Sequence, residues 1–213
     1  MKLIMLGPPG AGKGTQAARL RDALNIPSLS TGHILRTAIK EGLGVGPEAK
    51  SYMDAGKLVP DEIIIRVLKD FLDKGENKKN DYILDGMPRT LSQAKILEEM
   101  GIEVDAVISM EMSDQAIEDR MKWRRECPKC GAAYNLKTLR PKVEGLCDDC
   151  KEKLVIRDDD KPETIRTRLA AYHKVAEPIL KFYKDKGKVI SVDGSMDIEE
   201  STAMLIKILE RLD

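Results

Sequence analysis

Aromatic side chains are scarce: two Phe, five Tyr and one Trp in 213 residues. A core must therefore be layered from Leu, Ile, Val and Ala, with ten Met as adaptable filler. Net charge is lacking as well, because 36 acidic side chains cancel 36 basic ones. Bulk electrostatics then pull the chain toward neither nucleic acid nor an anionic membrane. No stretch comes near the roughly 18 uncharged apolar residues of a membrane helix, and the apolar opening at 3–6 is too short for a signal peptide before Gly7 and Pro8. A cytoplasmic protein with no membrane partner is expected. Internal repeats and low-complexity tracts are absent. Four cysteines in a chain of this size do not make a disulfide scaffold, and a reducing compartment keeps them as thiols or metal ligands.

What is present is an ordered domain: 42% apolar against 34% charged residues can bury a sizeable core. Short apolar runs at 2–6, 82–84, 104–110 and 188–192 read as strands. Helical spacing of apolar residues marks 16–24, 32–41, 47–55, 61–74, 91–100, 113–125 with Ser113 as cap, 162–184 and about 198–212. Alternation of this kind predicts an α/β fold, a parallel sheet covered by helices on both faces. Residues 127–160, holding the four Cys with two Pro and two Gly, interrupt the rhythm as a compact insertion.

The loop Gly7-Pro8-Pro9-Gly10-Ala11-Gly12-Lys13-Gly14-Thr15 follows a predicted strand and opens a predicted helix. Small residues let successive N–H groups turn in around phosphate oxygens, the helix N-terminus adds positive potential, and Lys13 supplies a mobile cation. A nucleoside triphosphate ligand follows. Gly14 stands where the general motif has Ser or Thr, so magnesium would be met by the Thr15 hydroxyl or held mostly through water and phosphate. Asp85, ending the apolar run 82–84, is the candidate for the magnesium shell.

Cys127-Pro-Lys-Cys130 and Cys147-Asp-Asp-Cys150 are two CxxC pairs separated by 16 residues. Four thiolates close a tetrahedron around zinc and leave no open position, so the metal would be structural and would replace a hydrophobic core in this short segment.

Together with the loop, STGHILR at 30–36, DAGKLVPDE at 54–62, DGMPRTLSQ at 85–93 and RDDD at 157–160 resemble the adenylate kinase family, in its long form with a zinc-bearing lid. The likeness spans nearly the whole chain. It implies a three-layer phosphate-loop kinase core with a five-stranded parallel sheet at 1–29, 61–121 and 161–213, a small helical monophosphate-binding domain at 30–60 and a zinc-containing lid at 122–160. It also implies a monomer, and reversible phosphoryl transfer from Mg-ATP to AMP giving two ADP. By that resemblance Arg36 and Arg89 hold the AMP phosphate, Arg120 and Arg124 the ATP phosphates, and Arg157 and Arg168 the transferring group. Arg120 and Arg124, four apart, are expected on one helix face. Lys13, Asp85, Arg89, Arg124, Arg157 and Arg168 form the expected catalytic set.

The resemblance further gives ATP the loop residues Gly10, Ala11, Gly12, Gly14 and Thr15, with Tyr134, Asn135 and Met196 near the adenine. For AMP it gives Thr31 and Gln93 at the base, with Gly32, Lys57, Leu58, Val59, Gly86, Met87 and Pro88 around it. His33 and Met87 stand where the family usually has Asp and an aromatic, and Trp123 and Asn135 where it often has Gly and His. A UMP or CMP kinase, a zinc-ribbon nucleic-acid-binding ATPase and a nucleotide sensor without turnover are the alternatives.

Overall fold

The computed structural model describes residues 1–73 and 81–212. Strand β1 (Lys2–Leu6) is followed by α1 (Lys13–Leu24), β2 (Ser28–Ser30), α2 (Thr31–Glu41), α3 (Gly46–Asp54), α4 (Asp61–Asp73), β3 (Tyr82–Asp85) and α5 (Leu91–Glu99). After them come β4 (Ala106–Glu111), α6 (Asp114–Met121), β5 (Arg124–Glu126), β6 (Ala133–Asn135), α7 (Pro162–Lys184), β7 (Val189–Asp193) and α8 (Ile198–Leu209).

Five strands form one parallel sheet in the order β2-β3-β1-β4-β7. Side chains alternate across it as a two-residue period requires. From β1, Ile4 and Leu6 join Leu84, Val107 and the apolar faces of α4, α5 and α7, whereas Leu3 and Met5 join Ile83, Ile108, α1 and α8 on the other face. Both faces are thus covered, and the strands read as continuous apolar runs rather than alternating ones. The phosphate loop leaves the carboxyl end of the central strand β1, where an open parallel sheet presents its ligand crevice.

The expected five-stranded sheet is present; one of its strands was not located in the sequence, and two further expectations need correction. That strand, β2, has no sequence signal of its own: two serines flank Leu29, and pairing to β3, with Ile83 N–H donating to the Pro27 carbonyl at 2.9 Å, makes it a strand. The helix expected over 113–125 stops at Met121, and Arg124 lies in β5, paired antiparallel with β6. Arg120 and Arg124 therefore do not share a helix face. Helix α1 begins at Lys13 rather than at 16, because Gly12 takes a left-handed conformation that ends the loop there. Lys74, the expected end of α4, lies outside the described residues. Among the described residues no helix is long and apolar enough to cross a membrane.

Candidate active site and metal knuckle

The loop's shape comes from close packing. Gly7 has φ +133°, and a Cβ there would lie 2.4 Å from the Met110 carbonyl oxygen of β4, so only glycine lets the chain turn over the sheet end. Lys13 Nζ folds back to donate to the carbonyls of Gly7 at 2.7 Å and Pro8 at 2.8 Å. Burial pushes this ammonium down to about 7; Asp85 opposes the fall, and Arg89, Arg168 and Arg124 add to it. Asp85 Oδ2 accepts from the Ser30 hydroxyl at 3.2 Å, across from Gly14.

Two adjoining cavities meet here, opening onto the phosphate loop and the arginines around it. The first is apolar at its far end, lined by Leu35, Met53, Leu58, Val59 and Ile64, and by Tyr172, Val175 and Ala176 of α7. The second is lined by Gly10, Ala11, Gly12, Gly14, Thr15, Asp85, Arg120, Arg124, Tyr134, Asn135, Arg157 and Met196. Lys13, Arg36, Arg89 and Arg168, with Pro9, Gly32 and Gly86, line both. The shared wall is thus cationic.

Carboxylates hold most of these guanidiniums. Arg124 is paired with Asp160, and Arg168 Nη1 reaches Asp159 Oδ2 at 2.8 Å and the Asp159 carbonyl at 3.0 Å. Arg89 Nε donates to the Gly86 carbonyl at 2.8 Å, and Arg120 Nη2 to the Gly194 carbonyl at 2.9 Å. Arg36 and Arg157 both pair with Glu126. The Arg157 Nε is buried and has no hydrogen-bond partner among the described residues. A buried donor of this kind is costly until an acceptor reaches it. Burial lowers the affinity of Arg168 for its proton to a pKa of about 10, with Asp159 opposing.

Most of the expected site residues come together, but some lie behind the walls. Lys57, Pro88, Leu58 and Val59 face the first cavity. Thr31, Met87 and Gln93 are almost fully buried. The Thr31 hydroxyl donates to the Asp85 carbonyl at 3.4 Å, and the Gln93 side chain is shared between Asp61 and the Arg89 backbone. Asn135 organises its own turn, accepting from Lys137 N–H at 2.9 Å and donating to the Arg120 carbonyl at 3.1 Å. His33 packs on the lid at Gly131, where a Cβ would stand 2.7 Å from the imidazole Nδ1. Sequence reasoning missed Glu126, the arginine-holding roles of Asp159 and Asp160, and the Tyr172, Val175 and Ala176 face of α7 in the first cavity. The run RDDD was a signal for two of these; Glu126 had none.

The four sulfurs of Cys127, Cys130, Cys147 and Cys150 lie within 4.8 Å of one another. Three of their separations are 3.3, 3.6 and 3.7 Å. A tetrahedron with Zn–S bonds of about 2.3 Å has sulfurs roughly 3.8 Å apart, so the donor set fits zinc in both chemistry and size. Tyr134 joins this knuckle to the second cavity, which it lines: its hydroxyl accepts the Asp148 N–H at 2.7 Å and lies 3.5 Å from the Cys147 sulfur.

Comparison with known proteins points the same way. The family model described as adenylate kinase matches residues 5–188. The chain is similar to the adenylate kinase of Lachnospira eligens, 46% identical over 98% of this chain and 100% of the relative. It is also similar to the adenylate kinases of Kosmotoga olearia, at 44%, and Staphylococcus epidermidis, at 45%, each over 100% of both chains.

Proposed function

The chain belongs to the adenylate kinase family, and from that premise we propose how its residues divide the work. The enzyme transfers the terminal phosphoryl group of Mg-ATP reversibly to AMP, giving two ADP. One observation carries the residue assignment: two adjoining cavities share a wall of Lys13, Arg36, Arg89 and Arg168. Two nucleotides lying with their phosphates end to end across that wall place the transferring group between them.

ATP takes the second cavity, its phosphates cradled by the loop N–H groups, Lys13, Arg120 and Arg124, with Tyr134, Asn135 and Met196 toward the base. AMP takes the first, its phosphate on Arg36 and Arg89 and its adenine among Leu58, Val59, Leu35 and Met53. Thr31 and Gln93 serve this end from behind, by fixing the segment that carries Gly86 and Arg89. Arg157 and Arg168 hold the phosphoryl group in flight. Segments 1–29, 61–121 and 161–213 act as the core, 30–60 as the AMP-binding part and 122–160 as the lid.

No protein base is needed. The second pKa of a phosphate monoester is about 6, so the attacking AMP oxygen is already ionised near neutrality. What the protein supplies is in-line alignment and charge neutralisation of a loose transition state. Together the reactants bring about six negative charges, which the guanidiniums meet with bidentate geometry in a site shut off from water. Magnesium, bound with ATP, neutralises and orients its outer phosphates; Asp85 and Thr15 are the side chains we place nearest its water shell. Zinc on the four cysteines holds the lid hairpin together.

We take the enzyme to act as a monomer, and thiolate ligands suit the reducing cytoplasm. The test is conversion: purified protein with magnesium, ATP and each of AMP, UMP, CMP and GMP. ADP from ATP and AMP is expected. No ADP, or a preference for UMP or CMP, overturns the reading.

A further inference from the structure

We propose that Glu126 is a positioning residue for the phosphoryl transfer: one buried carboxylate sets the Arg36 and Arg157 guanidiniums side by side and ties the AMP-side helix α2 to the lid. The inference rests on the adenylate kinase reading above and adds a residue to it.

Glu126 is 3% exposed, and its backbone is fixed from both directions by hydrogen bonds with Val155, each 2.9 Å. Its Oε1 and Oε2 accept from Arg36 Nε and Nη2 at 3.0 and 3.3 Å, and Oε2 also meets Arg157 Nη2. The carboxylate therefore grips one edge of Arg36. Nη1 is left on the side of Gly32, which lines both cavities. Arg157 likewise spends Nη2 on Glu126, and its buried Nε has no partner among the described residues. Each guanidinium is thus held from behind by Glu126 while its residue lines the second cavity.

Electrostatics require the carboxylate. Burial and the neighbouring Arg124 and Arg36 charges hold Arg157 well below arginine's usual range, so two buried cations are being forced together. Removing the anion between them leaves repulsion and an uncompensated buried charge. The guanidiniums then diverge, and the cost falls on AMP binding and on the transfer step. ATP, held mainly by the loop, Arg120 and Arg124, is largely spared.

The test uses the full-length, zinc-loaded enzyme, with ATP and AMP varied separately and AMP binding also measured by calorimetry. For Glu126→Gln, the AMP KM should rise and kcat should fall by about tenfold each, with ATP KM within about twofold. Glu126→Asp, which keeps the charge but draws it back by a methylene, should lie between. Zinc content is measured alongside. If Glu126→Gln loses zinc, the same KM split is read on Glu126→Asp. Unchanged AMP KM and kcat, tighter AMP binding, or a lowered melting temperature with parental constants would overturn the proposal. A parent enzyme that made no ADP, yet bound AMP more tightly than Glu126→Gln, would refute the activity while sustaining the role of Glu126.

Discussion

Gln93 accepts the backbone N–H of Arg89 on its side-chain oxygen at 2.7 Å. Its amide nitrogen donates to Asp61 Oδ1, also at 2.7 Å, and the Thr90 hydroxyl approaches the same carboxylate at 3.1 Å. The loop that presents Arg89 to the shared wall is therefore pinned to the start of α4. Gln93→Leu keeps the volume and strips both bonds; each buried polar group left unpaired costs about 1–3 kcal/mol. A lower melting temperature and a raised AMP KM, with ATP KM little changed, are expected from thermal unfolding and steady-state kinetics. An unaltered AMP KM would count against this role.

Lys13→Ala should keep the fold and lose the reaction. The ammonium is buried among Arg89, Arg168 and Arg124, so its removal relieves repulsion in the nucleotide-free protein. Losing one preorganised charge from a transition-state clamp lowers kcat by about 10²–10³-fold. Circular dichroism and an ADP-coupled assay would read both effects, and parental turnover in the variant would remove Lys13 from the mechanism.

Proton uptake should accompany ATP binding near pH 8. Burial first, with help from Arg89, Arg168 and Arg124 and against Asp85, lowers Lys13 from 10.5 to about 7. Between these values the unfolded chain binds more protons than the folded one, so this group's contribution to stability rises with pH from about 7 to 10.5; below about 7 its cost is present in full. Phosphate arriving at Nζ favours the charged form and draws a proton from solvent. Calorimetric titrations in two buffers of different ionisation enthalpy should differ for the parent and agree for Lys13→Met. Identical heats for the parent would contradict the assignment.

Zinc removal should loosen the lid before the core. Cys127 and Cys147 are buried in a small cluster with Tyr134 and Leu154, too little apolar surface to hold residues 124–155 alone. Structural zinc sites contribute about 10 kcal/mol or more of apparent binding free energy, so a chelator or Cys130→Ser removes the lid's main support. Amide exchange should quicken in the lid while β1, β3 and β4 stay protected. Equal protection of the lid with and without metal is the result that would defeat this account.

The parts legible in the sequence are those whose chemistry is local. The phosphate loop needs only consecutive small residues between a strand and a helix, and the metal knuckle only two CxxC pairs, so both stood where expected. Strand β2 was hidden because Leu29 between two serines has no period, and its pairing partner lies more than fifty residues away. Arg124 was misplaced onto a helix because the 113–125 segment keeps helical spacing past Met121; the ladder with β6 and the pairing to Asp160 override it.

Residue order alone settled the α/β alternation, the nucleotide loop and the four metal thiolates, since each is written in local residue type and spacing. Only the packed chain decided which charges face one another: it set Arg36, Arg89 and Arg168 on one wall between two cavities, placed Gln93 behind Arg89, and buried Glu126 between Arg36 and Arg157. The reason is that a Coulomb contact depends on distance through space, and α2, the lid hairpin and α7 are brought within that distance by the burial of apolar faces that carry none of the charge.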